Sequence, residues 1–371
     1  MSSGATTMRD LLAENTMTAA EALIVREDTG IRCLACGHRC LVKPGRAGTC
    51  RVRFHDGDQL QTPGGYVAGI QVDPIEKKPF FHAYPGRDAL SFGMLGCDLH
   101  CGYCQNWVTS QALRDKQAIA TTNRIGPDEV ADIAIARDAP VVVSTYNEPL
   151  ITSEWAVQIF ESARARGLTC GFVSNGNATP EVLRYLRPYV DLYKVDLKSF
   201  DDKHYRELGG VLANVLGTIE MLMEMGFWVE IVTLVIPGFN DSDTELTQIA
   251  NFLAGLAPTI PWHITAFHPD YKMDDVGRTP PETLLRAYEI GRSAGLHYVY
   301  PGNVHGRVGA LESTHCPSCN NVVIEREGLY VKHNRMTQPG RCPDCQAEIP
   351  GVWEDQPPKR STGSGIPMPL Y

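Results

Sequence analysis

The chain predicts an α/β fold of parallel strands, with Cys-rich segments before and after it. Three observations carry this. Residues 89–312 alternate short apolar runs, rich in Val, Ile and aromatics, with longer stretches whose apolar residues recur three and four apart. Unusual polar residues stand at the C-terminal end of one run after another. No G-x-G-x-x-G follows the first run, so a dinucleotide-binding sheet loses support. Strict alternation means parallel strands with right-handed crossovers, in a doubly wound sheet or a (β/α) barrel.

Taken in order, the predicted strands are 89–95, 140–146, 169–174, 192–198, 228–236, 262–268 and 296–300. The clearest helices are 154–166, 212–226, 243–256 and 281–295, several stopping at Gly. The polar strand ends are a cysteine loop after the first strand, Tyr146-Asn147-Glu148-Pro149 after the second and Ser174-Asn175-Gly176 after the third. Asp196-Leu197-Lys198 ends the fourth, and His268-Pro269 follows the sixth. Active sites of such barrels are assembled at C-terminal strand ends, which favours the barrel.

Four regions follow: a Cys-rich segment 1–88, the barrel 89–312, a four-cysteine module 313–353, and a tail 354–371 expected to be disordered. Hydrophobic content of 43% and charged content of 21% over 371 residues suit a globular protein. No apolar run approaches the roughly 20 residues that span a bilayer. The first residues carry no apolar export segment, so a cytoplasmic location is expected. The net charge of −9 disfavours a nucleic-acid partner. Eleven of twelve cysteines fall in three clusters of close spacing, which argues for reduced, metal-binding thiols. Cys170, alone in an apolar run, reads as a buried core residue.

The loop after the first strand is Gly96-Cys97-Asp98-Leu99-His100-Cys101-Gly102-Tyr103-Cys104. Three thiolates on one tight loop can hold three irons of a [4Fe–4S] cubane and leave the fourth open. Clusters that only carry electrons normally have four cysteines. An open metal position is where a cofactor or substrate binds. This spacing, with an aromatic before the last cysteine, resembles the radical S-adenosylmethionine (SAM) superfamily. That resemblance implies a partial (β/α)6 barrel, a [4Fe–4S] cluster on Cys97, Cys101 and Cys104, and SAM chelating the free iron.

Asn147-Glu148-Pro149 resembles the Gly-Gly-Glu-Pro element of those enzymes, which offers acceptors to the SAM ammonium. Ser174 and Asn175 lie where relatives contact ribose or carboxylate, though an Asn-Gly turn explains them equally well. Asp196 and Lys198, two apart, share a strand face and point into the barrel. His268 matches a SAM-contacting position of glycyl-radical activating enzymes. One departure stands out: 228–237 reads WVEIVTLVIP, without the arginine such enzymes carry for the SAM carboxylate. Thr233 is the weak substitute.

The C-terminal module pairs Cys316-Pro-Ser-Cys319 with Cys342-Pro-Asp-Cys345 across 22 residues. It reads as a structural zinc ribbon, with a single iron or a cluster as alternatives. Cys33-x2-Cys36-x3-Cys40-x9-Cys50 fits neither a plain ribbon nor a bacterial ferredoxin, and zinc and an auxiliary iron–sulphur cluster both remain open.

The order of these motifs, with Gly48-Thr49-Cys50-Arg51-Val52-Arg53 and Asp73-Pro-Ile-Glu-Lys-Lys-Pro79, resembles the AmmeMemoRadiSam system radical SAM enzymes over roughly residues 30–353. Their barrel is similar to pyruvate formate-lyase activating enzymes. The resemblance implies reductive cleavage of SAM to a 5′-deoxyadenosyl radical, hydrogen abstraction from a small molecule or a glycyl-radical-type protein, flavodoxin or ferredoxin as reductant, and Memo-type and AMMECR-type proteins as partners. The alternatives are an electron-transfer or metal-binding scaffold without SAM chemistry and, more weakly, a zinc-ribbon nucleic-acid binder.

Overall fold

A computed structural model describes residues 12–304, 306–356, 358 and 368–369. Its main sheet contains β1 (Gly69–Pro74), β2 (Asp88–Gly93), β3 (Val141–Ser144), β4 (Thr169–Ser174), β5 (Leu192–Asp196), β6 (Trp228–Val235), β7 (Trp262–Ala266) and β8 (Val299–Gly302). Between them lie α1 (Pro127–Ala136), α2 (Ser153–Ala165), α3 (Pro180–Leu186), α4 (Leu212–Glu224), α5 (Asp243–Leu256) and α6 (Pro281–Ser293). Helix starts follow local chemistry. The Thr179 hydroxyl accepts the Val182 N–H before α3, where Pro180 takes the first position. Ser242 accepts the Glu245 N–H before α5.

From β2 to β8 the strands lie side by side in chain order and pair parallel. A doubly wound sheet would reverse its order at a switch point; this one winds one way, as a barrel does. Six strand–helix units run from β2 to α6, and β8 adds a seventh parallel strand. The sheet is an open, partial barrel, with β8 at one edge.

The apolar runs are buried on both faces, as parallel strands under helices require. The outer face packs Leu90, Phe92, Val142, Cys170 and Phe172 against helix residues such as Phe160 and Leu183. The inner face packs Ala89, Val141, Val143 and Leu192 around Phe80 and Ile75, which fill the lower interior. Cys170 is fully buried.

Two boundaries differ from the sequence reading. Residues 69–74, assigned to the N-terminal segment, form β1 and pair antiparallel with β2, Gly69 opposite Gly93 and Pro74 opposite Asp88. That pairing covers the edge of β2 that a crossover helix would otherwise leave bare. In the tail expected to be disordered, Met368 and Pro369 pair with Val72 and Gln71 of β1; residues 357, 359–367 and 370–371 lie outside the described residues.

The N-terminal segment contributes a small sheet in which Gly30–Cys33 pairs with Ile24–Glu27 and Leu41–Val42. The C-terminal module is a three-stranded antiparallel unit, with Val322–Glu327 between Thr314–His315 and Tyr330–Asn334. It packs under the N-terminal ends of the barrel strands: Arg326 Nη2 donates to Phe81 O at 2.7 Å, and Val352 N to His82 O at 2.8 Å.

Candidate active site

At the opposite end, where the strands terminate, lies a cleft of about 430 Å³. Cys97, Cys101 and Cys104 line it together with Glu148, Ser174, Asn175, Lys194, Asp196 and Lys198. The loop starts at Gly96, whose φ of +95° suits glycine; a Cβ there would also lie 2.6 Å from Val52. The Leu99 amide donates to Cys97 Sγ at 3.4 Å, and Ser110 Oγ lies 3.2 Å from Cys104 Sγ. Tyr103 is buried edge-on to Phe239 and anchors the loop from behind. Burial pushes the Cys97 thiol well up, with Asp98 adding to it, and the Cys101 thiol up to about 11. Such thiols ionise when a cation arrives to compensate.

Glu148 is buried and accepts three hydrogen bonds, from Leu150 N (3.1 Å), Ser174 Oγ (2.7 Å) and Asn175 N (2.7 Å). A carboxylate offers about four acceptor sites, so one remains toward the cleft. Burial, and then Asp98, push this carboxyl up to about 8. Asn147 lines the cleft but has its side chain engaged: Oδ1 accepts the Met94 N–H and Nδ2 donates to Glu148 O. It positions the loop. Past the end of β4 at Ser174, Gly176 has φ +75° and its amide donates to Ser174 Oγ at 3.1 Å, while Asn175 Nδ2 donates to Asp98 Oδ1 at 2.7 Å. Tyr146 has φ +70°, a strained backbone at the cleft rim.

Asp196 sits between two lysines. Lys194 Nζ is 2.5 Å from Oδ1 and Lys198 Nζ is 3.5 Å from Oδ2. The three charged residues thus form an internal ion cluster that faces the cleft. Burial lowers Lys194 below the ordinary lysine value. For Lys198 burial acts the same way and is the largest single influence, but Asp196, Cys101, Tyr103 and Tyr205 together outweigh it and raise the ammonium well above the ordinary lysine value.

His268 is half-buried and lies off the cleft wall, partnered by Gln105 at 2.9 Å. Thr233 cannot serve the SAM carboxylate from here. Strand side chains alternate: Val232 and Leu234 line the cleft, while Thr233 points away and accepts the Trp262 indole N–H at 3.0 Å.

Two groups, Lys194 and Asp98, were not singled out from the sequence. Lys194 completes an alternating Lys194-x-Asp196-x-Lys198 pattern, a period-two signal that was legible. Asp98, within the cysteine loop, is fully buried between the amides of Asn175 and Asn177. Lys78, part of the Asp73–Pro79 run that the resemblance singles out, is buried, 2.7 Å from Asp73 Oδ2 and 3.1 Å from Tyr146 OH.

In the C-terminal module, Cys316, Cys319, Cys342 and Cys345 bring all four sulphurs within 4.8 Å of one another, with Cys316–Cys345 at 3.5 Å and Cys319–Cys342 at 3.7 Å. Four Zn–S bonds of about 2.3 Å in a tetrahedron set sulphurs about 3.8 Å apart. The donor set therefore fits one tetrahedral ion. A cubane, whose thiolates each cap a different iron at alternate corners, would spread them wider.

Comparison with known proteins bears on this arrangement. The sequence model of the radical SAM superfamily matches residues 93–250, from the end of β2 into α5. An uncharacterised protein of Methanocaldococcus jannaschii is 35% identical over 326 residues, 87% of this chain and 96% of its own length. The chain belongs to the radical SAM superfamily. It is also similar to the pyruvate formate-lyase-activating enzyme of Staphylococcus epidermidis, 28% identical over 214 residues, 52% of this chain and 84% of that one. Among solved structures, a radical SAM methyltransferase from Sphaerobacter thermophilus matches with a TM-score of 0.46 and 19% identity, over 59% of this chain and 68% of that one. Among the described residues no helix is long and apolar enough to cross a membrane.

Proposed function

We propose that the chain is a SAM-cleaving enzyme that abstracts hydrogen from a substrate in the cleft, with Cys97, Cys101 and Cys104 holding a [4Fe–4S] cluster. The observation that carries this is the meeting, in one cleft, of three thiols with Glu148, Lys194, Asp196 and Lys198. When bound, the reduced cluster and SAM supply a one-electron cleavage to methionine and a 5′-deoxyadenosyl radical.

The chain's own residues bind and orient. The free acceptor site of Glu148 faces the SAM ammonium. The cations lining the cleft are lysines, Lys77, Lys78, Lys194 and Lys198. Lys198, its charge favoured by Asp196 together with its other neighbours, takes the carboxylate in place of the arginine that activating enzymes carry on β6. Asn147, Ser174 and Asn175 hold the surrounding turns, and apolar Val173, Val232 and Leu234 shield the cleft from water. The C-terminal module holds a structural zinc ion. A flavodoxin or ferredoxin is the reductant, and Memo-type and AMMECR-type proteins are the partners to test. The substrate is a small molecule or a glycyl-radical-type protein; the activating-enzyme likeness covers half of this chain and does not choose between them.

Anaerobically reconstituted, reduced protein should release 5′-deoxyadenosine from SAM, measured by chromatography. Cys101→Ala should lose it together with the barrel iron. Undiminished release from that variant would refute the proposal.

A further inference from the structure

We infer that Cys33, Cys36, Cys40 and Cys50 hold a second iron–sulphur cluster, set against the barrel loop, and not a zinc ion. The four residues converge although they span two loops. Cys33, Cys36 and Cys50 are buried and Cys40 is half-buried. The Cys33 amide donates to Cys40 O at 2.9 Å, and the Thr49 amide reaches Cys40 Sγ at 3.4 Å.

The convergence has the build of a thiolate site. The Thr49 amide serves Cys40 Sγ at 3.4 Å as the Leu99 amide serves Cys97 Sγ in the barrel loop. Three residues after Cys50 lies Arg53, 1% exposed, whose carbonyl accepts the Gly48 N–H at 2.9 Å. Its two Nη groups pair with Glu154 at 2.8 and 2.6 Å, but its buried Nε finds no acceptor in the protein. An orphan guanidinium N–H is costly in a core. A thiolate-bound anionic metal centre would supply the missing acceptor.

Sulphur spacing decides between metals. The C-terminal four lie within 4.8 Å of one another, close enough for one ion. Among the described residues, no three of Cys33, Cys36, Cys40 and Cys50 approach one another that closely, and neither do Cys97, Cys101 and Cys104. Like the barrel loop, the N-terminal set therefore does not meet the close spacing of a single-ion site. A polynuclear cluster takes thiolates set wider than a single tetrahedral ion does.

The site also abuts the barrel loop. His38 Nε2 lies 3.1 Å from Asp98 O, the Gly37 amide donates to Asn177 O at 2.8 Å, and Cys50 O lies 3.4 Å from where a Cβ on Gly96 would stand.

The test is metal counting on the full chain after anaerobic reconstitution. The variant Cys97→Ala/Cys101→Ala/Cys104→Ala should keep about four irons, or about two for a [2Fe–2S] centre, with matching sulphide and about one zinc. Iron near zero with about two zincs would overturn the inference. Cys36→Ala in the otherwise native chain should lose that iron and keep the zinc; an unchanged iron count would also overturn it. Should the triple variant fail to fold, the native chain decides: about eight or six irons support the second cluster, and about four refute it.

Discussion

The two ends of the barrel both bury charge, but they use it differently. At the lower end Glu230 is fully buried and accepts four N–H groups, from Phe81, His82, Trp228 Nε1 and His263 Nε2, at 2.7–3.0 Å. His82 continues the network. Its Nδ1 donates to Pro350 O at 2.8 Å, so its Nε2 accepts from Tyr300 OH at 2.7 Å. Tyr300 contacts Thr314 Oγ1, which accepts from Arg326 Nη1. Each of these polar atoms has its partner. At the upper end Lys78, Lys194, Lys198, Asp196 and Glu148 border open volume, with capacity left over. A perturbed acid or base therefore does not mark a site by itself. Unmatched hydrogen-bonding and charge capacity beside a cavity does.

The strongest way to break this contrast is Glu230→Ala. It leaves four buried donors unpaired, so unfolding free energy should drop by about 3–5 kcal/mol, read by denaturant titration. The folded fraction should keep its barrel iron. A loss below about 1 kcal/mol would show that the lower end does not hold the barrel together.

Next in size is a pH effect. Burial pushes His82 down to about 4, and in the unfolded chain it returns to about 6.5. As pH falls from 6.5 to 4 the unfolded state takes up the proton first, so stability drains away, by up to about 3 kcal/mol. Glu76, pushed up to about 7 by burial, acts in the opposite sense, gaining stability as pH falls from 7. Comparing the native chain with His82→Gln cancels that contribution, and the native chain should show the steeper acid loss. Parallel curves would mean that His82 is protonated in the fold.

The smallest stability effect belongs to the upper end. Lys198→Ala leaves Asp196 paired with Lys194, so stability should move by less than about 1 kcal/mol. SAM binding, by calorimetry on the reconstituted protein, should weaken about tenfold, or about 1.4 kcal/mol. An unaltered SAM affinity would make the Asp196 cluster structural, like the lower network.

The sequence reading located the strands well because each is a short, doubly buried apolar run between polar ends. For 169–174 and 243–256 the observed bounds coincide with those read, the latter because Ser242 caps the helix. The cysteine loop was legible from spacing alone. The burial of Lys78 and Asp98 was not, since it depends on Tyr146 and Asn175, partners distant in sequence. Thr233 was misjudged because a residue's type was weighed before its parity on the strand. The lower network was invisible for a similar reason: Glu230, His82, Tyr300 and Arg326 come from four separate stretches, and no local pattern joins them.

The seating of Arg326 and Pro350 under the barrel has a consequence for how the protein is made. A chain emerges from the ribosome N-terminus first, and its early parts begin to fold while the rest is still being added. All strands through β8 are complete by Gly302, yet His82 and Phe81 must await partners at positions 326 and 350. Through that interval the newborn barrel has a gap in its floor, with Phe81 uncovered. Closure waits on the last-made module, so a nascent chain stalled before it would be the form that chaperones and proteases recognise.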